Sequence, residues 1–289
     1  MRACPEEVVT TESLVVFEDV WYRYPSGITA LRGISLEFRR GELVAIVGAN
    51  GSGKTTLIKH LNGLLKPSRG RVLVFGVDTR KSSVARLARH VGLVFQNPLN
   101  QFFADTVWDE VAFALKNFEG RVNSEKILGV LRELGIDHLK DRSPFEASLG
   151  EQKRIALASV LVYEPEILAL DEPTAGLDYR SKTALLSILL KLRREGRAVI
   201  LVSHDLEFIA RARIDRLIVL SEGRVVFDGD PREAFYNPEL LVTSRLIPPQ
   251  IPRLFIRLGL DGSSTPLNEE EAYVDLRKLG VGVHVDKGG

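Results

Sequence analysis

Apolar residues recur along this chain in two rhythms. Leu14 to Tyr24 and Ile34 to Phe38 read as strands, and in the second Ile34, Leu36 and Phe38 alternate with other positions in the period-2 pattern of a half-buried sheet. Leu43 to Val47, Val91 to Phe95, Ile167 to Leu170, Val199 to Val202 and Leu217 to Leu220 are instead short unbroken apolar runs, as strands covered on both faces require. Between several of them the spacing turns helical, over Thr55 to Leu64 and Arg180 to Arg194. The alternation predicts an α/β fold with a parallel core sheet, opened by an antiparallel β layer.

Two stretches depart from that alternation. Val107, Val111, Ala114 and Phe118 recur at helical spacing, and Ser124 to Leu134 repeats the pattern with Ser124 as the expected cap and Gly135 as the stop. Residues of about 99–147 are therefore expected to form a helical subdomain inside a first domain of 1–230. After Gly229 the prolines Pro231, Pro238, Pro248, Pro249 and Pro252 punctuate short segments, and 231–289 reads as a C-terminal extension. Within it Ile251, Leu254, Phe255 and Leu258 make an amphipathic turn-and-a-half, and Thr265-Pro266 is expected to cap a last helix.

Composition narrows the classes. A 289-residue chain with 45% hydrophobic and 27% charged residues has enough material for a real core, and no apolar run approaches the roughly 18 residues that span a bilayer. The start, Met1 to Glu7, lacks a signal-peptide core, and the single Cys4 has no partner for an internal disulfide, so a cytosolic location is expected. A net charge of +1 supplies no field toward nucleic acid or anionic lipid, so direct nucleic-acid binding is not expected and membrane association must come through a protein partner.

The chemistry begins after Val47. Gly48-Ala49-Asn50-Gly51-Ser52-Gly53-Lys54-Thr55 fits the phosphate-binding pattern of two glycines with four residues between them, followed by Lys and Ser/Thr, between a buried strand and a helix. Glycines allow successive N–H groups to point at phosphate oxygens, and the helix adds the positive end of its dipole. Lys54 is expected on the β- and γ-phosphates of ATP, Thr55 on the Mg²⁺ that bridges them, and Thr56 beside them. Asp171 closes the run from Ile167 and is followed by Glu172. A carboxylate at that strand end is placed to hold Mg²⁺ through water, and a second can polarise the attacking water.

With Pro173-Thr174-Ala175-Gly176-Leu177-Asp178 and Ser203-His204-Asp205 added, the chain resembles ABC transporter ATPases, a P-loop family, over roughly residues 14–230. The resemblance implies that Glu172 is the catalytic carboxylate, Asp178 the D-loop residue that crosses a dimer interface, and His204 the switch histidine at the γ-phosphate. It implies too that Gln96 senses Mg²⁺ and the attacking water. It places an adenine-stacking aromatic at Tyr24, with Tyr22 and Trp21 as competitors. Ala147 to Arg154 is similar to the family signature, which binds the ATP held by the other subunit, but Leu149 stands where the family has Gly and Glu151 where it has Gln. Ser148 and Glu151 also form a capping-box pattern that competes for the helix N–H groups which Ser148 and Gly150 would offer the phosphate. The altered segment favours a non-identical ATPase partner over a second copy.

Gln96 to Phe103 followed by Thr106 to Phe113 is similar to the corresponding segment of energy-coupling-factor and cobalt-type importer ATPases, as is the Pro-rich extension. That resemblance implies a peripheral ATPase on the cytoplasmic face of the membrane, docked through its helical insert on a transmembrane coupling component, with a separate membrane protein binding a vitamin or metal ion. Phe102, Phe103 and Trp108 are candidates either for that docking surface or for the core of the insert. The alternatives are the ATPase of an ordinary binding-protein-dependent importer and a soluble ABC protein acting on nucleic acid or ribosomes.

Overall fold

The buried runs assemble into one sheet whose two faces are covered by different layers. The computed structural model describes residues 13–261 and 264–280, so Met1 to Glu7 and Cys4 lie outside the described residues. In chain order the strands are β1 (Ser13–Arg23), β2 (Thr29–Arg39), β3 (Leu43–Val47), β4 (Arg69–Val74), β5 (Val77–Asp78), β6 (Val91–Val94), β7 (Ile167–Asp171), β8 (Ala198–Val202), β9 (Arg216–Ser221) and β10 (Arg224–Gly229). The helices are α1 (Lys54–Leu61), α2 (Val84–Ala88), α3 (Val107–Glu119), α4 (Ser124–Glu133), α5 (Leu149–Leu161), α6 (Tyr179–Arg194), α7 (Leu206–Arg211), α8 (Pro231–Phe235), α9 (Pro238–Thr243), α10 (Gln250–Arg257) and α11 (Glu269–Lys278).

The larger sheet runs β10-β9-β3-β8-β7-β6, parallel throughout except for the β9–β10 hairpin, and the smaller one runs β2-β1-β4-β5, all antiparallel. Period-2 alternation explains the layering. Val44 and Ile46 of β3 face the cluster shared with Phe17, Phe38 and Val72 of the antiparallel sheet, whereas Leu43, Ala45 and Val47 face the helices through Ile155, Leu189 and Ile209. This is the mixed sheet with an antiparallel layer expected of a P-loop core.

The helices between β6 and β7 have their own reasons to form. Thr106 caps α3 by accepting the Asp109 N–H at 3.1 Å. Val107, Val111, Leu115, Ile127 and Leu131 are buried where α3 and α4 meet α5. The cap of α4 is Asn123, not Ser124: its carboxamide accepts the Lys126 N–H at 3.1 Å from an extended backbone, and Ser124 is already helical. Gly135 follows α4 at φ +65°, as its role of stop requires.

The C-terminal segment corrects a second cap. Asn268 starts α11 by accepting the Glu271 N–H at 3.0 Å, while the carbonyls of Thr265 and Pro266 accept from Arg232 and from the Tyr236 hydroxyl, at 2.7 and 2.8 Å. Those residues tie the segment back to α8 rather than capping a helix. Of the amphipathic stripe on α10 only Phe255 is fully buried; Leu254 and Leu258 are exposed. Ala234, Phe235 and Leu267 join the same apolar cluster as β3 and β8.

Candidate functional site

β3 delivers the chain into the glycine loop at the end of the parallel sheet. Gly48 has φ +148°, and a Cβ there would stand 2.1 Å from the Leu220 carbonyl oxygen, so no larger residue fits. Gly53 caps α1 without any side-chain bond, which leaves the first helical N–H groups available to an anion. Lys54 Nζ donates to the carbonyls of Gly48 and Ala49 at 2.9 and 3.0 Å. Burial lowers the Lys54 pKa, opposed by the neighbouring Glu172 and Asp171. Asn50 and Gly51 are exposed at the loop tip, and the Ser52 hydroxyl is buried without a partner among the described residues.

The Thr55 hydroxyl donates to Asp171 Oδ2 at 2.8 Å, joining the loop to the end of β7. Asp171 Oδ1 is buried and has no partner among the described residues. Desolvation raises the Asp171 pKa, with the Thr55 bond and Lys54 opposing. A hydroxyl and a carboxylate with an unused oxygen are the hard donors that Mg²⁺ takes, so these residues fit that ion.

Glu172 adopts φ +49°, in the left-handed region that non-glycine residues avoid, and its N–H donates to the Val202 carbonyl at 2.9 Å. Its Oε2 accepts the His204 backbone N–H at 3.1 Å, and Oε1 lies 3.2 Å from His204 Nε2. Burial raises the Glu172 pKa, the His204 N–H and Lys54 opposing. Burial first, then Lys54, lowers that of His204. Both shifts disfavour the charged forms and so work against an ion pair at this contact. Register places Gln96 at the same sheet end, because Val94 pairs with Leu170, but Gln96 is exposed and makes no side-chain hydrogen bond among the described residues.

Tyr24 lies just past β1, its hydroxyl 2.9 Å from the Thr56 hydroxyl on α1. The ring meets Tyr22 edge-on at 4.8 Å, and Tyr22 in turn meets buried His60 at 5.0 Å. Trp21 instead donates to Asp19, and the guanidinium groups of Arg69 and Arg224 each lie 5.9 Å from its ring. Of the three aromatics, only Tyr24 is hydrogen-bonded to the helix that carries the phosphate loop.

The signature segment sits at the N-terminus of α5. Glu151 Oε2 accepts both the hydroxyl and the backbone N–H of Ser148, at 2.7 and 2.8 Å, so the carboxylate half of the capping box is formed and occupies both Ser148 donors. Those bonds lower the Glu151 pKa. Leu149 is 48% exposed, and Gly150 lies beside Leu177. Asp178 caps α6, accepting the Ser181 N–H at 2.8 Å. In the insert, Phe102 is buried and Trp108 packs against the core, whereas Phe103 is 57% exposed and stacks edge-on with exposed Phe113 at 4.4 Å. Phe102 is therefore core.

Two residues escaped the sequence reading. Buried Glu110 accepts the N–H groups of Phe103 and Ala104 at 3.0 and 3.1 Å and so fixes the loop that carries Phe103. Lys153, inside the signature segment, donates to the carbonyls of Glu172, Pro173 and Ala175. Neither leaves a sequence signal beyond a charged residue on a helix, since the partners are backbone atoms.

Comparison with known proteins identifies the family. The ABC transporter family model matches residues 31–175. The energy-coupling factor transporter ATP-binding protein EcfA of Methanothermobacter thermautotrophicus is 41% identical over 273 residues, covering 92% of this chain and 87% of that one. Among solved structures, cbiO1 of Clostridium perfringens, part of the ABC transporter complex cbiONQ, matches with a TM-score of 0.70 and 36% identity over 85% of this chain and 99% of that one. A dimeric ATP-binding cassette in a post-hydrolysis state, bound to ADP and Pi, matches with a TM-score of 0.69 and 28% identity over 75% of this chain and 98% of that one. A phosphate loop, a carboxylate pair and a histidine at one sheet end, on this fold and with these relatives, make the chain a member of the ABC transporter ATP-binding family, in its energy-coupling-factor branch, and an ATPase.

Proposed function

We propose that this chain powers import of a vitamin or transition-metal ion, as one of two ATPase subunits that sandwich two ATP molecules on the cytoplasmic face of a membrane. Its partners are a second, non-identical ATPase, a transmembrane coupling component docked on the 99–147 insert, and a separate membrane protein that binds the cargo. Residues 1–230 are the ATPase domain and 231–289 an extension to it. The observation that carries the reading is the placement of Glu172 against His204, beside the Thr55–Asp171 pair and Lys54. Among the described residues no helix is long and apolar enough to cross a membrane, which accords with a peripheral subunit.

In this reading Lys54 exchanges its bonds to Gly48 and Ala49 for the β- and γ-phosphate oxygens, and the α1 amides add fixed partial positive charge. Thr55 and Asp171, with Gln96, would hold Mg²⁺, which when bound would neutralise charge on the phosphates. Glu172 accepts a proton from the attacking water as its oxygen bonds to the γ-phosphorus and the bond to the bridging oxygen breaks, giving ADP and phosphate. The raised Glu172 pKa makes it a stronger base than a solvated carboxylate. His204 donates to the γ-phosphate, and Tyr24 stacks on adenine.

The test is affinity purification of the tagged chain from detergent-solubilised membranes. An integral membrane protein and a second ATPase should accompany it. Recovery with ribosomes or nucleic acid instead would favour the soluble alternative, and recovery with a binding-protein-dependent permease the ordinary importer.

A further inference from the structure

The second turn of α5 reaches across to the turn that carries the proposed catalytic carboxylate. Lys153 Nζ donates to the Glu172 carbonyl at 3.0 Å, to that of Pro173 at 3.2 Å, and to that of Ala175. An ammonium has three N–H donors, so these carbonyls use all of them. No carboxylate makes a direct ion pair with Lys153 among the described residues; its desolvation is offset by these three carbonyls and, at longer range, by the Glu172 carboxylate.

The turn so gripped is strained: Glu172 at φ +49° persists only where its surroundings over-determine it. One turn earlier on α5, Leu149 lies over Gly176, where a Cβ would come within 2.6 Å of Leu149 Cδ2. Gly150 lies against Leu177, whose Cδ2 would be 3.7 Å from a Cβ there. The first two turns of α5 thus hold residues 172–177 both by hydrogen bonds and by apolar contact. Ser148 is the N-cap of the same helix.

We propose that Lys153 is a positioning residue which fastens the Glu172–Ala175 turn to the signature helix, so that displacement of the Ser148 end is delivered to Glu172 of the same subunit. The proposal rests on the reading of Glu172 as catalytic carboxylate and of Ser148 as the residue facing the other subunit's nucleotide. It gives one subunit a direct link between the nucleotide it senses across the interface and the carboxylate it applies to its own. A purely structural lysine would alter stability without separating turnover from nucleotide binding.

The experiment compares Lys153→Met, Lys153→Gln and Lys153→Arg in the full chain as isolated with its membrane partners, with Glu172→Gln alongside. Removing the donors should lower kcat on the order of 10²-fold, the effect of a misplaced catalytic group, while KM and nucleotide affinity stay within about twofold. Arg, which keeps charge and donors, should recover most of the loss, and Gln, with two donors, part of it. Wild-type kcat in Lys153→Met beside an inactive Glu172→Gln overturns the positioning role and leaves the carboxylate reading standing. Wild-type turnover in Glu172→Gln overturns that reading instead. If Lys153→Met fails to fold, a folded Lys153→Gln with wild-type kcat overturns the proposal.

Discussion

His204 offers Glu172 two contacts: a backbone N–H that donates to Oε2 at 3.1 Å and an imidazole Nε2 3.2 Å from Oε1. The first does not depend on the side chain, so Glu172 stays oriented when His204 is replaced. His204→Ala should therefore leave the Glu172 rotamer and ATP binding in place while removing the ring expected at the γ-phosphate.

For Lys54→Ala we expect loss of ATP binding itself. The ammonium would make charge-assisted bonds to two phosphates, each worth roughly 1.5–3 kcal/mol, so affinity should fall on the order of 10²-fold or more. Equilibrium titration with a fluorescent ATP analogue measures this, and near-native affinity would contradict the placement of Lys54.

Phe102 and Phe103 should behave as opposites. Phe102 is buried, and Phe102→Ser should destabilise the fold by about 3 kcal/mol or more. Phe103 is 57% exposed, and Phe103→Ser should keep thermal stability and ATP binding while uncoupling transport in the assembled complex. Parallel melting curves and uptake assays decide; loss of fold in Phe103→Ser would make it core.

Burial sets an acid limit on stability through His60, whose pKa falls to about 4, chiefly by desolvation. The folded state holds this ring neutral, so its contribution is complete above the unfolded value of about 6.5 and drains away as pH falls toward 4. Between pH 6.5 and 5 the loss should be roughly 2 kcal/mol. Denaturant unfolding of His60→Leu should show that much less pH dependence across this interval, and an unchanged slope would assign the acid sensitivity elsewhere.

The altered signature predicts dependence on a partner. In a sandwich, each ATP meets one subunit's phosphate loop and the other's signature, so Leu149 and the Ser148–Glu151 bonds would impair both sites of a homodimer but only one of a heterodimer. ATPase activity of the chain alone should rise in a Leu149→Gly, Glu151→Gln double variant. Equal activity of wild type and variant alone would remove the case for a non-identical partner.

The parts of this site legible in the sequence were those in which a backbone need dictates residue type. Gly48 must be glycine because the Leu220 carbonyl leaves no room for a Cβ, and β3 is an unbroken apolar run because both of its faces are buried. β4 and β10 were not legible because both carry exposed positions, where Arg69, Arg71 and Arg224 interrupt the apolar pattern. The caps of α4 and α11 fell on Asn123 and Asn268, whose extended backbones suit the cap, rather than on the neighbours chosen from sequence. Lys153 and Glu110 bind backbone atoms that any residue would supply, so only coordinates reveal them.

The central claim is that Glu172 removes the proton from the attacking water. Glu172→Gln keeps size and the ability to accept the His204 N–H but removes the base. In single-turnover ATP hydrolysis by the purified complex, we expect ATP affinity within about twofold of wild type and a chemical rate lower by roughly 10²- to 10⁴-fold. A wild-type rate with the same affinity would contradict it.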